Sequence, residues 1–485
     1  MSVSAVRGAR SEHHLRWMVA MALVTVALVA VFTLGVASRS VEDPAGPGPT
    51  IASLAMTAAV VLLLAFAIPA AFLKMDVRVA GWWPWVVGGA SAVVALLGWG
   101  LVGVSPAAGA AVYRALRLPQ GPVQFWDLRL TLETVDCARW GFDVFQENNG
   151  CLADPSIYGP GITWWRFGFG VLSETNTTLL GVLLIVVTSG ALLWIARRSV
   201  GLAAVVLVIA ALGTPWQLML ERANIDALVL VIAVFAVWLT RRWNTYWAWS
   251  LAAAGIWLAG TWKYYPFVLA VLLLPALRLR RGWVVLAGFA TATILFFAFT
   301  WNNVLMSLAA SSGMADLGDY VVLGRIPVVA RLPEAWGFGD VLFAAICAAA
   351  IAWGVFLGRT TQPVTPSPQI PVWVLLALAG SLLYLSSVAL TGFAYGYKAA
   401  FLVLLIPGLR MRSHLPRIAA WSTLVAIALL VISFVVVWNT VLATLAGVVA
   451  ASLVLGQAAS ALFGWWRFWS APEQPAIPAR QSEKL

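Results

Sequence analysis

The chain has 485 residues, of which 62% are hydrophobic and only 10% are charged. A soluble core cannot absorb so much apolar side chain, so this composition predicts an integral membrane protein. The net charge of +11 would suggest a nucleic-acid partner in a soluble protein. Here many basic residues lie in short turns between apolar runs, where they set membrane topology, so we expect no nucleic-acid partner.

Apolar runs of about 20 residues are long enough to cross a bilayer core of about 30 Å. The runs are continuous, and a membrane β-barrel would require alternation instead. They predict an all-α, multi-pass helical bundle of about 12–14 spans, in which 264–277 and 396–409 are short enough to be tilted, paired or sunk toward one face. The predicted spans lie near 17–38, 51–73, 82–104, 176–196, 201–220, 223–240, 246–262, 264–277, 283–301, 338–358, 371–391, 396–409, 417–438 and 440–463.

The domain organisation follows from these spans. We expect residues 1–16 to form a cytoplasmic segment, 17–463 a single transmembrane domain, and 464–485 a disordered cytoplasmic tail that is polar from 471. The first run could instead belong to a cleaved signal peptide. It is longer than the apolar part of a signal, which favours a retained anchor.

Clusters of arginine indicate the orientation. By the alternation of runs and turns they share one side, which the positive-inside rule makes the cytoplasm. These clusters are Arg197-Arg198, Arg241-Arg242, Arg278 to Arg281, and Arg410 to Arg412. The two long interruptions, 105–175 and 302–337, are then outer loops of a cell-membrane protein.

The first outer loop carries an amphipathic pattern over 127–142. Leu128, Leu132 and Val135 recur at helical spacing between charged residues, which predicts a helix lying on the membrane surface. Cys137 and Cys151 lie in the same loop, where an oxidising compartment would let them form a disulfide. Two free thiols in a reducing compartment are the alternative.

Asp127 opens that predicted helix, directly after two aromatic residues. Partial desolvation at the boundary between water and lipid would raise its pKa toward the working range of a general base. The alternative is purely structural, because an aspartate at a helix start also caps backbone N–H groups.

A second polar group, residues 221–226, adjoins an apolar span. Acidic residues suit the first turn of a helix, and Arg222 can pair with Asp226 across one turn. Four strongly polar side chains in six residues exceed what capping needs, and charges near membrane depth favour function.

Lys263 and Lys398 each stand beside tyrosines at span ends on the same side. They are either interfacial anchors or cations that bind a lipid phosphate. With Arg222 they make three cations near the carboxylates of Asp127, Glu221 and Asp226. Cations for a phosphate and a carboxylate to activate a hydroxyl are the groups that transfer from a phospholipid-linked donor needs.

Three of these segments resemble elements of a known family or of chains related to it. The run Glu-Arg-Ala-Asn-Ile-Asp-Ala-Leu-Val-Leu at 221–230 resembles the signature of glycosyltransferase family 87, the polyprenyl-phosphate-mannose-dependent mannosyltransferases. Trp-Lys-Tyr-Tyr-Pro at 262–266 is similar to that family's K-x-Y-P element, and residues 395–402 are similar to an aromatic-basic element of related chains. The resemblance covers roughly 120–410 and implies a GT-C architecture with a large outer loop.

The family places a catalytic aspartate in its first large outer loop, so the resemblance assigns this role to Asp127. Two departures stand out. The loop follows the third predicted span here instead of the first, which implies two additional N-terminal spans, and Ala223 replaces a usual glycine.

The hypothesis is an inverting glycosyltransferase at the outer face of the cell membrane. It would move mannose, or another hexose or pentose, from a polyprenyl-phosphate sugar to a glycolipid or envelope glycan. Asp127 would be the base, and Arg222, Lys263 and Lys398 would hold the donor phosphate. The sequence calls for no cofactor and no metal. The residues expected to orient these groups or bind sugar are Glu221, Asn224, Asp226, Tyr264 and Tyr265.

Two other functions remain open. A transporter or flippase of a lipid-linked sugar would place polar groups near mid-membrane and use broken helices. A non-catalytic envelope scaffold would tolerate replacement of Asp127.

Overall fold

The computed structural model describes a helical protein. The described residues are 82–105, 107–109, 124–146, 150–168, 170–199, 202–313, 322–323, 339–360, 370–390, 394–409 and 440–470. The α-helices are α1 (Trp83–Val104), α2 (Trp126–Arg139), α3 (Thr177–Ala196), α4 (Leu202–Leu212), α5 (Thr214–Glu221), α6 (Ile225–Arg242), α7 (Tyr246–Trp262), α8 (Trp283–Gly313), α9 (Gly339–Thr360), α10 (Val372–Leu390) and α11 (Thr440–Ser470).

Shorter elements join them. Four 3-10 helices are η1 (Pro160–Phe167), η2 (Glu174–Asn176), η3 (Tyr265–Arg278) and η4 (Gly396–Leu409). Two-residue strands β1 (Val322–Leu323) and β2 (Ala394–Tyr395) pair antiparallel, which ties the second predicted outer loop to the start of η4.

Within these residues, five helices are long and apolar enough to cross a membrane, or six if one bent pair counts as a span. This agrees with a helical membrane protein. The predicted spans 17–38, 51–73 and 417–438 lie outside the described residues, so the total of 12–14 stays a prediction. The C-terminal helix extends to Ser470, so the boundary predicted at 463 was too early.

The bundle has one basic end. Arg197 lies over the ring of Trp85 at the start of α1, and Arg198 is close enough to Arg241 for their charges to repel. The backbone N–H of Arg281 donates to the hydroxyl of Tyr246 at the start of α7. Three of the four arginine turns predicted to share one side therefore meet at one end, and α6 extends about 27 Å away from them. The fourth, Arg410 to Arg412, lies outside the described residues.

The two segments that looked too short for spans are wound as 3-10 helices of 14 residues each, η3 and η4. At the ideal 3-10 rise of about 2.0 Å per residue, 14 residues would extend about 28 Å. The tighter winding lets 14 residues cover the distance that an α-helix covers with 18. Both are too short to count among the candidate spans, and that they are tilted, paired or sunk toward one face stays a prediction.

The chain breaks sharply between α5 and α6. The two helices meet at an angle of 110° across a short turn, and α4 and α5 replace the single span predicted over 201–220. Gly213 and Pro215 separate α4 from α5, as expected where proline occupies the first turn of a helix. The bend places the turn 221–224 at the end of the bundle opposite the arginines.

The predicted amphipathic helix is present as α2, which contains Cys137. Its apolar face does not lie on a membrane surface, because Leu128, Leu132 and Val135 are buried in the protein core. The structure joins Cys137 of α2 to Cys151 in a disulfide, and both pack in a small separate cluster with Phe145. This segment is thus attached to the bundle through the face that was expected to contact lipid.

Candidate functional site

The start of α2 is docked by its backbone onto the turn after α5. The N–H of Phe125 donates to the carbonyl of Glu221 (3.2 Å), and the N–H of Leu128 donates to the carbonyl of Arg222 (3.3 Å). Phe125 adopts a left-handed conformation, with φ of 54°. Because the first N–H groups of a helix lack partners inside it, these bonds satisfy α2 and also fix the position of Asp127.

The turn itself contains a second left-handed residue, Ala223, with φ of 45°. Glycine adopts this conformation at the least cost, so an alanine here is strained. Two non-glycine residues with positive φ, Phe125 and Ala223, therefore flank the same site. Such strained conformations are often retained at functional sites.

Asn224 connects this turn to two other segments. Its side-chain oxygen accepts from the N–H of Asp226 and so caps α6. Its Nδ2 donates to Oδ2 of Asp127 (2.6 Å) and to the hydroxyl of Tyr397 (2.9 Å). One buried amide thus joins α2, α6 and η4.

Asp226 is fully buried and is surrounded by donors. Lys398 Nζ lies 2.8 Å from Oδ2, Lys263 Nζ lies 3.7 Å from Oδ1, and the hydroxyl of Tyr265 donates to Oδ1. Each lysine also rests on a tyrosine ring, Lys398 on Tyr265 and Lys263 on Tyr158. A buried carboxylate needs such partners, because an unpaired charge there is strongly destabilising.

Arg222 pairs with other groups than predicted. Its guanidinium lies 3.6 Å from Oδ1 of Asp127 and 3.4 Å from Oε2 of Glu221. The predicted pair with Asp226 required one continuous helix, and the 110° bend puts the two residues on different helices. Arg222 consequently lies with Asp127, and Asp226 lies with the lysines.

Solvent reaches this cluster at two side chains. Asp127 is 15% exposed and Lys263 is 14% exposed, whereas Lys398 is only 5% exposed. Burial raises the pKa of Asp127 above its ordinary value, while Arg222, Asn224 and Lys263 act in the opposite direction. The cluster therefore presents one carboxylate and one ammonium group at its opening.

The capping alternative for Asp127 does not describe this geometry. The N-cap of α2 is Phe125, and no side chain caps it. The Asp127 carboxylate accepts from Asn224 instead, 97 residues away in sequence.

Of the nine residues predicted for the site, eight meet here; the exception is Tyr264, whose hydroxyl bonds that of Ser307 in α8. Two tyrosines of the cluster were not predicted as site residues. Tyr158 donates to the backbone carbonyl of Asp127 (3.3 Å) and supports Lys263, and Tyr397 bonds Asn224. The aromatic and lysine run at 395–398 was a signal for Tyr397, but nothing in the sequence singled out Tyr158.

In the part of the chain that the structure describes, no group of three or more His, Cys, Asp or Glu side chains could hold a metal ion. Comparison with known proteins gave no match to a protein-family model, to a curated protein or to a solved structure.

Proposed function

We propose that this chain is an inverting glycosyltransferase that uses a polyprenyl-phosphate sugar as its donor. The observation that carries the proposal is the meeting of Asp127 and Lys263 at the opening of a buried charged cluster, with Arg222 beside the carboxylate. A base for an acceptor hydroxyl and cations for a leaving phosphate are the two functions that such a transfer requires.

The proposed step is a single displacement. The Asp127 carboxylate takes the proton of the acceptor hydroxyl while that oxygen forms a bond to the anomeric carbon. The bond between this carbon and the phosphate oxygen breaks, and its electron pair stays on the phosphate. Arg222 and Lys263 stabilise the charge that develops there, Glu221 and Asp226 hold the cations in place, and Tyr265 helps to fix Asp226.

The raised pKa of Asp127 suits a general base, since a more basic carboxylate accepts a proton more readily. Arg222 and the Asn224 amide oppose the effect of burial and favour the ionised form, which is the form that reacts. Burial and hydrogen bonding together thus favour a base that is both available and strong.

Location also supports the proposal. The cluster and the arginine turns lie at opposite ends of α6, so the positive-inside rule assigns the cluster to the extracytoplasmic side. The disulfide joins α2, the helix that begins at the cluster, to Cys151. Disulfides persist in oxidising compartments. A lipid-linked donor and an envelope glycan or glycolipid acceptor are substrates that fit this location.

The test is transfer of a labelled sugar from synthetic polyprenyl-phosphate donors by the purified full-length protein. Asp127→Asn should reduce transfer by about 10²- to 10⁴-fold, the contribution of a general base. Asp143→Asn is the matched control, because Asp143 is an exposed carboxylate of the same outer segment. Equal transfer by wild type and Asp127→Asn would contradict the base assignment.

A flippase of a lipid-linked sugar is the second candidate, and the 110° break between α5 and α6 favours it, because transporters build sites from broken helices. Proteoliposomes distinguish the two functions. A flippase would move the intact donor across the bilayer without cleaving it. The transferase would release polyprenyl phosphate only when an acceptor is present.

A further inference from the structure

The two lysines at Asp226 differ in geometry. Lys398 Nζ lies 2.8 Å from the carboxylate and is almost fully buried, whereas Lys263 Nζ lies 3.7 Å away and is partly exposed. Attraction between opposite charges falls with distance, and burial strengthens it. Lys398 is therefore the cation that neutralises Asp226, and Lys263 interacts with this carboxylate more weakly.

Lys263 has a second support. Its ammonium lies 4.7 Å from the centroid of the Tyr158 ring, and the hydroxyl of Tyr158 donates to the backbone carbonyl of Asp127. Tyr158 is buried, so this cation–π contact is largely shielded from water. Such contacts are stronger when they are desolvated. The side chain of Tyr158 thus contacts both Asp127, the proposed base, and Lys263, the cation at the opening.

The backbone around Tyr158 fixes it against α7. The N–H of Gly159 donates to the carbonyl of Trp262, next to Lys263 (2.7 Å). A Cβ at Gly159 or Gly161 would collide with Thr261, so two glycines permit this close approach. The loop that holds Tyr158 is consequently locked to the end of the helix that holds Lys263.

We infer that Tyr158 is a positioning residue that holds Lys263 as the phosphate-binding cation at the opening, while Lys398 acts only to neutralise Asp226. The inference rests on the proposed function, and it divides roles that the sequence analysis had given equally to both lysines. Without the Tyr158 ring, the Lys263 ammonium would lose the contact that keeps it away from full pairing with Asp226.

Binding of farnesyl phosphate to the full-length protein, measured by titration calorimetry, tests this directly. Tyr158→Leu removes the ring and should weaken binding roughly three- to thirtyfold, the range of a desolvated cation–π contact. Tyr158→Phe keeps the ring and should change the Kd by less than about threefold. Tyr246→Leu, at the far end of α7, is the matched control and should leave the Kd unchanged.

The titration separates positioning from folding. A positioning role raises the Kd at constant stoichiometry, whereas a purely structural role lowers the stoichiometry and leaves the Kd of the folded fraction unchanged. The second result would overturn the inference. If wild type binds no farnesyl phosphate, the proposed function itself fails, and the inference fails with it.

The lysines provide a separate test, which also applies if Tyr158→Leu does not fold. Lys263→Met should weaken farnesyl phosphate binding at least tenfold with little change in the unfolding temperature. Lys398→Met should lower the unfolding temperature and the stoichiometry, because it leaves the Asp226 charge poorly compensated. A larger rise in Kd for Lys398→Met than for Lys263→Met would overturn the assignment.

Discussion

The side-chain amide of Asn224 donates a hydrogen bond of 2.6 Å to the carboxylate of Asp127. The same amide group donates to Tyr397, while its oxygen caps α6. All the hydrogen-bonding groups of this side chain are used, so its orientation is fixed by three partners. Asn224 therefore couples the protonation of Asp127 to the geometry of the turn between α5 and α6.

Replacing Asn224 by aspartate should shift the pH dependence of sugar transfer. Aspartate caps a helix as well as asparagine does, so α6 should keep its start. The Asn224 amide lowers the pKa of Asp127, and a second carboxylate at this position would raise it. A base works only when it is ionised. On acidification, transfer by the variant should therefore fall at a higher pH than transfer by the wild type.

The measurement is the pH–rate profile of transfer for wild type, Asn224→Asp and Asn224→Ala. Both variants should shift the acidic limb to higher pH, and Asn224→Ala should also lose about 1 kcal/mol of stability for the missing cap. An unchanged acidic limb in both variants would show that the group titrating there is not Asp127.

Local sequence patterns predicted much of the site but not its pairings. The density of polar side chains at 221–226, and the lysines beside tyrosines, singled out groups that do meet. The pair expected between Arg222 and Asp226 failed because it assumed a continuous helix, and the break there depends on tertiary packing of α5 and α6. Tyr158 escaped notice for a similar reason: its role depends on two glycines that let a loop approach α7 closely.

Hydropathy also found the membrane helices but not their winding. A 14-residue apolar run was interpreted with the α-helical rise of 1.5 Å per residue, which makes it too short. Whether such a run winds as a 3-10 helix is not encoded in hydrophobicity, so the extent of η3 and η4 could not be predicted from it.

Ala223→Gly should stabilise the protein or leave its stability unchanged. Relief of the left-handed conformation is worth about 1–2 kcal/mol, against a cost of about 0.5–1 kcal/mol for the flexibility of glycine when unfolded. Ala227→Gly, at a buried position inside α6, is the matched control and should lose about 1 kcal/mol. Thermal unfolding of the three proteins in detergent gives the comparison. A clear loss of stability in Ala223→Gly would contradict the proposed strain.

Reduction of the disulfide should destabilise the segment that contains α2. The bridge closes a loop with a sequence separation of 14, which corresponds to about 3 kcal/mol in the chain-entropy model. The variant Cys137→Ser with Cys151→Ser should therefore unfold at a lower temperature, and proteolysis should first cleave the region around Cys151. Free-thiol labelling of native membranes provides the check on the bridge itself, since labelling of both cysteines without reductant would show that it does not form.

The closest approach of α9 to α11 depends on glycines. A Cβ at Gly354 would collide with the backbone carbonyl of Leu453, and one at Gly456 would collide with the carbonyl of Ile351. In membranes small residues let helices pack through direct backbone contact, so a side chain here separates the helices. Gly456→Val should therefore lower the unfolding temperature markedly. Gly190→Val, in α3 where a Cβ meets no atom within 4 Å, should not, and equal losses in the two variants would show that helix propensity and not close packing sets the effect.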